Sequence, residues 1–428
     1  MFDKEKHLND NFLDKQIEEF FMETMNKLVC IGETDISDLK NYAKEAVEEI
    51  SQRAGEKGQF LNWIDVLPKN QIATLDNLFD MANKAKADGT TDLAILGIGG
   101  SRHTTESMVN MLGCEDNIHF YSALDETSFN KFTKTLDLDK TKFLVVSKSG
   151  GTLETTVAYE SAKKLVQDYF NREDVSDRFI AMTDASSEKS NLRRIVDSGD
   201  IKLSGYVHDD VGGRFSILDD ATIFTLAFAG VEKSAVKRLL EASLAAQKEF
   251  LNPNVDENAA LKLACFNVKA RQNGKIKHFV EYFGDVFSGA VLWEKQMKNE
   301  SLKAMISTDT NIGPGYLHYN AEADLDAANN DSFYTFVFVK TEDKIMKADL
   351  TGVLTAYGAQ HPIAVIELPA LTVEDVARFI ELKHFETIYT GNILRRTKGE
   401  VTSMDVAMPE VLQPNVEIYK KEVKKALQ

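Results

Sequence analysis

The sequence has 428 residues, more than one hydrophobic core usually serves, so it predicts two domains. Its formal net charge of −17 argues against nucleic acid as a main partner, because a phosphate backbone needs a basic face. The 3 cysteines form no C-x-x-C pair and no recognisable zinc site. With no signal-peptide pattern and no apolar run of membrane-spanning length in the sequence, we expect a cytoplasmic protein with no membrane partner.

Apolar strands are predicted to alternate with helices beyond a charged, helical N-terminal segment. This alternation is typical of βαβ units and of parallel sheets covered on both faces. The predicted strands are Leu93–Ile98, Ile118–Tyr121, Phe143–Val146, Phe179–Met182, Ile201–Val207, His278–Tyr282, Tyr334–Val339, Ile363–Leu368 and Thr387–Tyr389. Long helices are predicted at Lys233–Phe250, at Glu257–Gln272 and from Val416 onward. Ser216 and Asp219 have capping-box spacing at a helix start.

These patterns predict an α/β protein made of two αβα sandwich domains with parallel sheets and helical terminal segments. The predicted divisions are an N-terminal helical segment (1–85), a first αβα domain (86–210), a helical connection with an arginine loop (211–255), a second αβα domain (256–405) and a C-terminal helix (406–428).

Two loops rich in glycine and hydroxyl groups come at the ends of two predicted strands, "GIGGS" (97–101) and "SKSGGT" (147–152). The dinucleotide fingerprint G-x-G-x-x-G fails because Arg102 occupies the third glycine position, and no G-x-x-x-x-G-K-[ST] loop is present. Taken alone, one such loop could equally be only a tight turn between a strand and a helix. Two at the carboxyl edge of a parallel sheet predict a site for the phosphate of a small metabolite. The candidate hydroxyl donors are Ser101, Ser147, Ser149 and Thr152.

Three further residues have two interpretations each when taken alone. Arg214 in "GGRFS" is either a guanidinium aimed at a ligand or a surface turn residue. Glu300 in "WEKQMKNES" is either a general base or a solvated helix carboxylate. His318 in "GYLHY" gives no signal by itself.

In combination, six segments resemble motifs of the phosphoglucose isomerase family, particularly its shorter bacterial forms. They are "QFLNWIDVLP", "GIGGS", "VVSKSGGTLET", "VGGRFSIL", "WEKQMKNES" and "QPNVEIYKK", which follow the family order over most of the chain. The resemblance implies two sugar-isomerase-type αβα domains, a homodimer, and no metal or organic cofactor. It also implies reversible isomerisation of glucose 6-phosphate and fructose 6-phosphate, by ring opening and proton transfer through an enediolate.

The resemblance also implies a role for each matching residue. Ser101, Ser147, Ser149 and Thr152 would bind the substrate phosphate, and Gly100, Lys148, Gln296 and Gln413 would complete the substrate-binding set. Arg214 would stabilise the enediolate, and Glu300 would move the proton between C2 and C1. Lys420 and His318 would help to open the sugar ring. In the family, this histidine reaches the active site from the neighbouring subunit.

Four departures from the family pattern leave rival functions open. Gly151 stands where the family usually has threonine, Asp219 and Asp220 stand where small or apolar residues are typical, and "GYLHY" replaces a "TDLHS"-like context. The residues after Glu300 are Ser301, Leu302, Lys303 and Ala304, not those of E-S-x-G-K. The rivals are a non-catalytic sugar-phosphate-binding protein and an isomerase of a different sugar phosphate. A dehydrogenase is disfavoured because the third glycine is missing.

Overall fold

A computed structural model describes residues 28–32 and 35–426 of the chain. The parts of the predicted terminal segments at 1–27, 33–34 and 427–428 lie outside the described residues. The strands are β1 (Leu28–Ile31), β2 (Asp92–Leu96), β3 (Ile118–Tyr121), β4 (Thr141–Val146), β5 (Phe179–Thr183), β6 (Leu203–Tyr206), β7 (Lys277–Phe283), β8 (Ser307–Gly313), β9 (Ser332–Val339) and β10 (Ile363–Leu368). The α-helices are α1 (Lys40–Arg53), α2 (Val66–Lys86), α3 (Gly100–Met111), α4 (Glu126–Thr133), α5 (Leu153–Phe170), α6 (Asn191–Asp197), α7 (Asp220–Phe228), α8 (Lys233–Phe250), α9 (Ala259–Gln272), α10 (Ser288–Leu302), α11 (Gly315–Asp324), α12 (Lys344–Gly358), α13 (Val373–Arg396) and α14 (Pro414–Ala426).

The described chain forms two compact units. Unit 2 is Ala54–Ala245, and unit 1 contains the described residues before Ala54 and from Ala246 onward. The chain passes between the units at 53/54 and 245/246. The predicted domain limits 85/86, 210/211 and 255/256 stay a prediction.

Unit 2 is built on a parallel five-stranded sheet in the order β3-β2-β4-β5-β6. Every residue of β4 and β5 is buried, as expected for central parallel strands. On one face, Phe143 and Phe179 pack with Tyr159 of α5 in a hydrophobic cluster. Leu144 and Ile180, which alternate with them, are also fully buried, so both faces of the sheet are covered.

Unit 1 contains a second five-stranded sheet, in the order β1-β10-β9-β7-β8. All its pairings are parallel except that of β1 with β10. One face packs Phe336 and Phe338 against Leu350 and Leu354 of α12. Helix α13 is buried without interruption from Phe379 to Arg395. The predicted α/β class with two parallel sheets is therefore confirmed.

Some predicted elements are wrong in detail. Thr387–Tyr389, predicted as a strand, lies inside α13, because a short β-branched and aromatic run does not distinguish a strand from a helix buried on all sides. Strand β1 lies within the segment predicted as helical, and the polar β8 was not predicted. Asp219, not Ser216, is the N-cap of α7, and its carboxylate accepts from the N–H of Asp220.

Within residues 28–32 and 35–426, no helix has both the length and the apolar character needed to cross a bilayer.

Candidate active site

The two predicted phosphate loops leave the same edge of the unit 2 sheet. Strands β2 and β4 are parallel neighbours, with Leu96 opposite Val145, so the loops that follow them start side by side. After β2, Gly99 adopts a φ of 58°, and α3 begins at Gly100 and Ser101. The sequence prediction that these loops end neighbouring strands is correct.

The loop after β4 gathers hydroxyl groups at the start of α5. Ser147 is buried, its Oγ accepts from the Gly150 N–H at 3.1 Å, and it lies 3.5 Å from Thr152 Oγ1. Thr152 is the N-cap residue of α5, yet its side chain makes no cap hydrogen bond. Ser149 Oγ accepts from the Gly151 N–H at 3.2 Å. Together, the hydroxyls and the positive end of the α5 dipole suit an anion.

Close backbone packing fixes this loop against neighbouring segments. Gly150 has a φ of 60°, and a Cβ at this position would lie 2.1 Å from the backbone nitrogen of Leu192. The N–H of Asn191 donates to the Ser149 carbonyl at 3.0 Å. Lys148, a predicted substrate-binding residue, donates from Nζ to the His208 carbonyl at 3.0 Å, so its amine anchors the loop to the segment after β6.

Arg214 is buried, which removes the interpretation as a surface turn residue. It lies in a short 3-10 helix, Gly213–Phe215, and is 2% exposed. Its guanidinium lies 5.1 Å from the centre of the Phe215 ring, which stacks on Trp63 with centroids 5.4 Å apart. A guanidinium held in this way is pre-oriented, as stabilisation of a developing oxyanion requires.

The unusual Asp219 and Asp220 are integrated into the site through His208, which sequence reasoning did not identify. His208 Nδ1 hydrogen-bonds Asp219, while Asp220 accepts from Gln71 Nε2 and from the Tyr206 N–H, each at 2.8 Å. Although burial opposes it, the Asp219 carboxylate raises the pKa of His208. Burial, with the neighbouring Asp219 charge, raises the pKa of Asp220.

These three side chains are also a group of potential metal ligands, with ligand atoms all within 4.8 Å of one another. Each carboxylate already accepts two or more hydrogen bonds from protein donors. In the described part of the chain, the group is thus a hydrogen-bonded junction that joins the segment after β6 to the start of α7.

The candidate base lies in unit 1, near the end of α10. Glu300 is half-buried, and its Oε1 accepts from Gln296 Nε2 at 2.9 Å. The structure thus joins these two predicted residues. Lys303, which ends α10, has a φ of 52° and a ψ of −130°, a conformation suited to glycine. It stands at the glycine position of E-S-x-G-K, so a lysine occupies a backbone conformation here that suits glycine.

The other predicted residues of unit 1 lie on or next to two helices, α11 and α14. His318 is exposed on α11, and Gln413 is exposed just before α14. Lys420 Nζ lies 2.9 Å from Glu417 Oε1 within α14.

The two parallel sheets, with hydroxyl-rich loops at strand ends, define an α/β protein of the sugar-isomerase type. A family model described as phosphoglucose isomerase matches residues 66–312, which is more than half of the chain. The chain therefore belongs to the phosphoglucose isomerase family, and the family predicted from the motifs is confirmed.

Named relatives agree with this assignment. A glucose-6-phosphate isomerase of Exiguobacterium sibiricum is 23% identical over 405 residues, covering 90% of this chain and 84% of the relative. One of Heliobacterium modesticaldum is 27% identical over 288 residues, covering 63% of this chain and 62% of the relative.

Two solved structures share the fold. A hypothetical protein of Thermus thermophilus has a TM-score of 0.78 at 20% identity, covering 94% of this chain and 100% of that protein. A glucose-6-phosphate isomerase of Chlamydia trachomatis has a TM-score of 0.75 at 15% identity, covering 92% of this chain and 85% of that protein.

Proposed function

We propose that this chain interconverts glucose 6-phosphate and fructose 6-phosphate. Family membership and the relatives named as glucose-6-phosphate isomerases support the proposal. The structural observation that supports it best is the buried Arg214 beside the hydroxyl-rich strand ends of unit 2. Abstraction of a weakly acidic proton next to a carbonyl needs a fixed cation for the developing oxyanion and a carboxylate base.

In the proposal, the substrate phosphate binds at the strand ends of unit 2. The neutral hydroxyls and the α5 N-terminus supply donors in a chain with a net charge of −17, so affinity depends on local groups. Binding of the remote phosphate contributes energy that orients the reacting carbons. The proposed phosphate ligands are Ser101, Ser147, Ser149 and Thr152.

Glu300 is the proposed base, and Arg214 is the proposed enediolate stabiliser. Gln296 donates to the Glu300 carboxylate at 2.9 Å and so orients it. Lys420 and His318 are proposed to assist ring opening, with Gly100, Lys148 and Gln413 in the substrate-binding set. A cytoplasmic location and a homodimer are parts of the same proposal.

A coupled assay of the purified chain tests this function. It starts from fructose 6-phosphate and detects the glucose 6-phosphate formed with a reporter enzyme. Glu300→Gln should lose turnover by at least roughly 10²-fold and keep sugar-phosphate binding. Glu241→Gln, a change of the same kind on the exposed face of α8, should behave like the parent. A parent that binds sugar phosphate but shows no turnover would favour a non-catalytic sugar-phosphate-binding protein. Activity on another sugar phosphate alone would favour an isomerase of that sugar phosphate.

Sharing of His318 between subunits has its own test. Mixing equal amounts of Glu300→Gln and His318→Ala proteins, with subunit exchange shown by differently tagged chains, gives hybrid dimers with one intact site. Half of the dimers are hybrids, so activity should recover to roughly a quarter of the parent, by the symmetry of an isologous dimer. Recovery of nothing after demonstrated exchange would reject a shared site.

A further inference from the structure

Four fully buried charged side chains connect α10 with α13. Lys383 Nζ lies 2.6 Å from Glu294 Oε1, and Lys298 Nζ lies 2.6 Å from Glu386 Oε1. The ring closes with Lys298 Nζ 3.5 Å from Glu294 Oε1 and Lys383 Nζ 3.7 Å from Glu386 Oε2. All four side chains are 0% exposed, and their formal charges cancel. We call Glu294, Lys298, Lys383 and Glu386 the buried charge ring.

Neighbouring polar groups extend the ring to two more elements. The Tyr282 hydroxyl of β7 donates to Glu294, and Asn267 Nδ2 of α9 donates to Glu386. Although burial opposes it, the ammonium groups of Lys383 and Lys298 lower the pKa of Glu294. Burial, with the Glu294 charge beside it, raises the pKa of Tyr282, which keeps the phenol a donor.

Such a ring is a costly way to obtain stability alone. Removing charges from water cancels much of their attraction, and well-packed apolar residues of similar volume often do as well. What ion pairs add is specificity of register, because a shifted apolar face can repack against other apolar groups, whereas a shifted buried charge loses its partner. A slide or rotation of α10 against α13 would lengthen the two 2.6 Å ion pairs in an interior where no water replaces the lost contact.

The ring lies on the face of α10 opposite the candidate base. Glu294 and Lys298 are one turn apart on the buried face, whereas Gln296 and Glu300 are one turn apart on the accessible face. Each member of the second pair follows its counterpart by two residues, which is about 200° around the helix axis. Any rotation of α10 that breaks the ring therefore moves Glu300 as well.

We propose that the buried charge ring positions the Gln296–Glu300 pair by fixing the register of α10 against α13. Its members are positioning residues, which touch no substrate and act through the helix. This inference rests on the proposed function, in which Glu300 moves the proton. Proton transfer is sensitive to small displacements of the base, so the ring should affect turnover more than substrate binding.

The test removes one ion pair without leaving an unpaired charge. Lys298→Met combined with Glu386→Gln removes one cation and one anion and keeps the Lys383–Glu294 pair. We expect a folded protein with a kcat for fructose 6-phosphate at least about 10-fold lower and a KM within about 2-fold of the parent. Lys298→Met alone leaves Glu294 and Glu386 to share Lys383, a buried excess of one negative charge, and should lower the melting temperature further.

The control removes another ion pair from α13 that does not involve α10. Arg378 pairs with Glu249 through contacts of 2.6 and 3.0 Å, and Arg378→Met with Glu249→Gln should leave kcat unchanged. Parent-like kcat in the Lys298→Met/Glu386→Gln protein would overturn the proposal. So would parallel changes of kcat, KM and melting temperature in that protein and in the control.

Amide hydrogen exchange separates this inference from the proposed function. If the parent shows no isomerase turnover, the proposed function fails, but exchange along α10 still reports on the register. Faster amide exchange from Gln296 to Glu300 in the Lys298→Met/Glu386→Gln protein, and not in the Arg378→Met/Glu249→Gln control, supports positioning by the ring. Identical exchange in both variants and the parent overturns it.

Discussion

The α-carbon of Gly100 packs against the backbone carbonyl of Gly213. A Cβ at Gly100 would lie 2.2 Å from the Gly213 oxygen and 3.0 Å from the nitrogen of Arg214. This contact brings the start of α3, directly after the β2 loop, against the short helix that contains Arg214. It therefore sets the distance between the proposed phosphate ligand Ser101 and the guanidinium proposed to stabilise the enediolate.

Gly100→Ala should separate these two loops. The added methyl group meets backbone atoms that no side-chain rotation can relieve, so we expect a loss of unfolding free energy of roughly 1–3 kcal/mol. Displacement of Arg214 by about 1 Å should lower kcat/KM by on the order of 10²-fold. Thermal melting and the coupled assay measure the two effects.

Gly352→Ala is the matched control, because a Cβ at this position in α12 would meet nothing within 4 Å. It should keep full activity with equal or greater stability. Parent-like kcat/KM in Gly100→Ala would show that the contact does not position Arg214.

The sequence predicted the parts of this site that depend on local pattern. The apolar run before Ser147, and the glycines and hydroxyls after it, are sufficient to place a loop between β4 and α5. Burial of Arg214 is different, because it depends on Phe215 stacking on Trp63, a residue distant in the chain. The motif "GGRFS" contains no sign of that contact, and the surface alternative stayed open for this reason.

Elements whose partners are distant in sequence were also the ones missed. Strand β8 reads "STDTNIG", a polar edge strand with no alternation, and it forms through pairing with β7. His208 has no recognisable motif, and its position depends on Asp219 and on the Lys148 amine. The buried charge ring would read from sequence as an ordinary charged helix face, since charged residues are usually exposed.

Gly151→Thr should restore a hydroxyl that the family usually has in the phosphate loop. A Cβ at Gly151 would lie 3.7 Å from Ser149 Oγ, an ordinary contact, so the loop has room for a side chain. One added hydrogen bond to the phosphate should strengthen fructose 6-phosphate binding by about 1 kcal/mol in calorimetry. Gly151→Val adds the same shape without the hydroxyl and should not strengthen binding. Equal affinities of the two variants would place the phosphate away from residue 151.

Lys303→Gly should be more stable than Lys303→Ala. Both variants lose the hydrogen bond from Lys303 Nζ to the Pro409 carbonyl, but only alanine keeps a Cβ at a φ of 52°. A non-glycine residue in such a backbone region costs roughly 1–3 kcal/mol, partly offset by the greater freedom of glycine in the unfolded chain. Urea unfolding should thus rank glycine above alanine by about 1 kcal/mol. An alanine variant as stable as the glycine variant would show that the end of α10 is unstrained.

Glu281 is a buried carboxyl group on β7, the strand next to the edge strand β8 of the unit 1 sheet. Its side chain on β7 is fully buried, and Oε1 accepts from Asn311 Nδ2 of β8 at 2.9 Å. Burial raises the pKa of Glu281 to about 8, with the charges of Asp324 and Asp309 adding to the effect against the Asn311 hydrogen bond. In the folded protein at neutral pH, the group therefore holds a proton that the unfolded chain releases.

Glu281→Gln should remove a pH dependence of stability. Between the ordinary pKa of 4.5 and about 8, the folded state binds one more proton than the unfolded state, so the unfolding free energy falls as pH rises. The slope from this group is about 1.4 kcal/mol per pH unit, and it vanishes below and above that window. Glutamine imitates the protonated acid, so the variant should resemble the parent near pH 4.5 and exceed it increasingly up to pH 8. Denaturant unfolding across this pH range measures the difference in unfolding free energy between variant and parent. Glu241→Gln is the exposed control and should show no such trend. A difference in unfolding free energy that stays constant with pH would mean that Glu281 is ionised in the folded protein throughout.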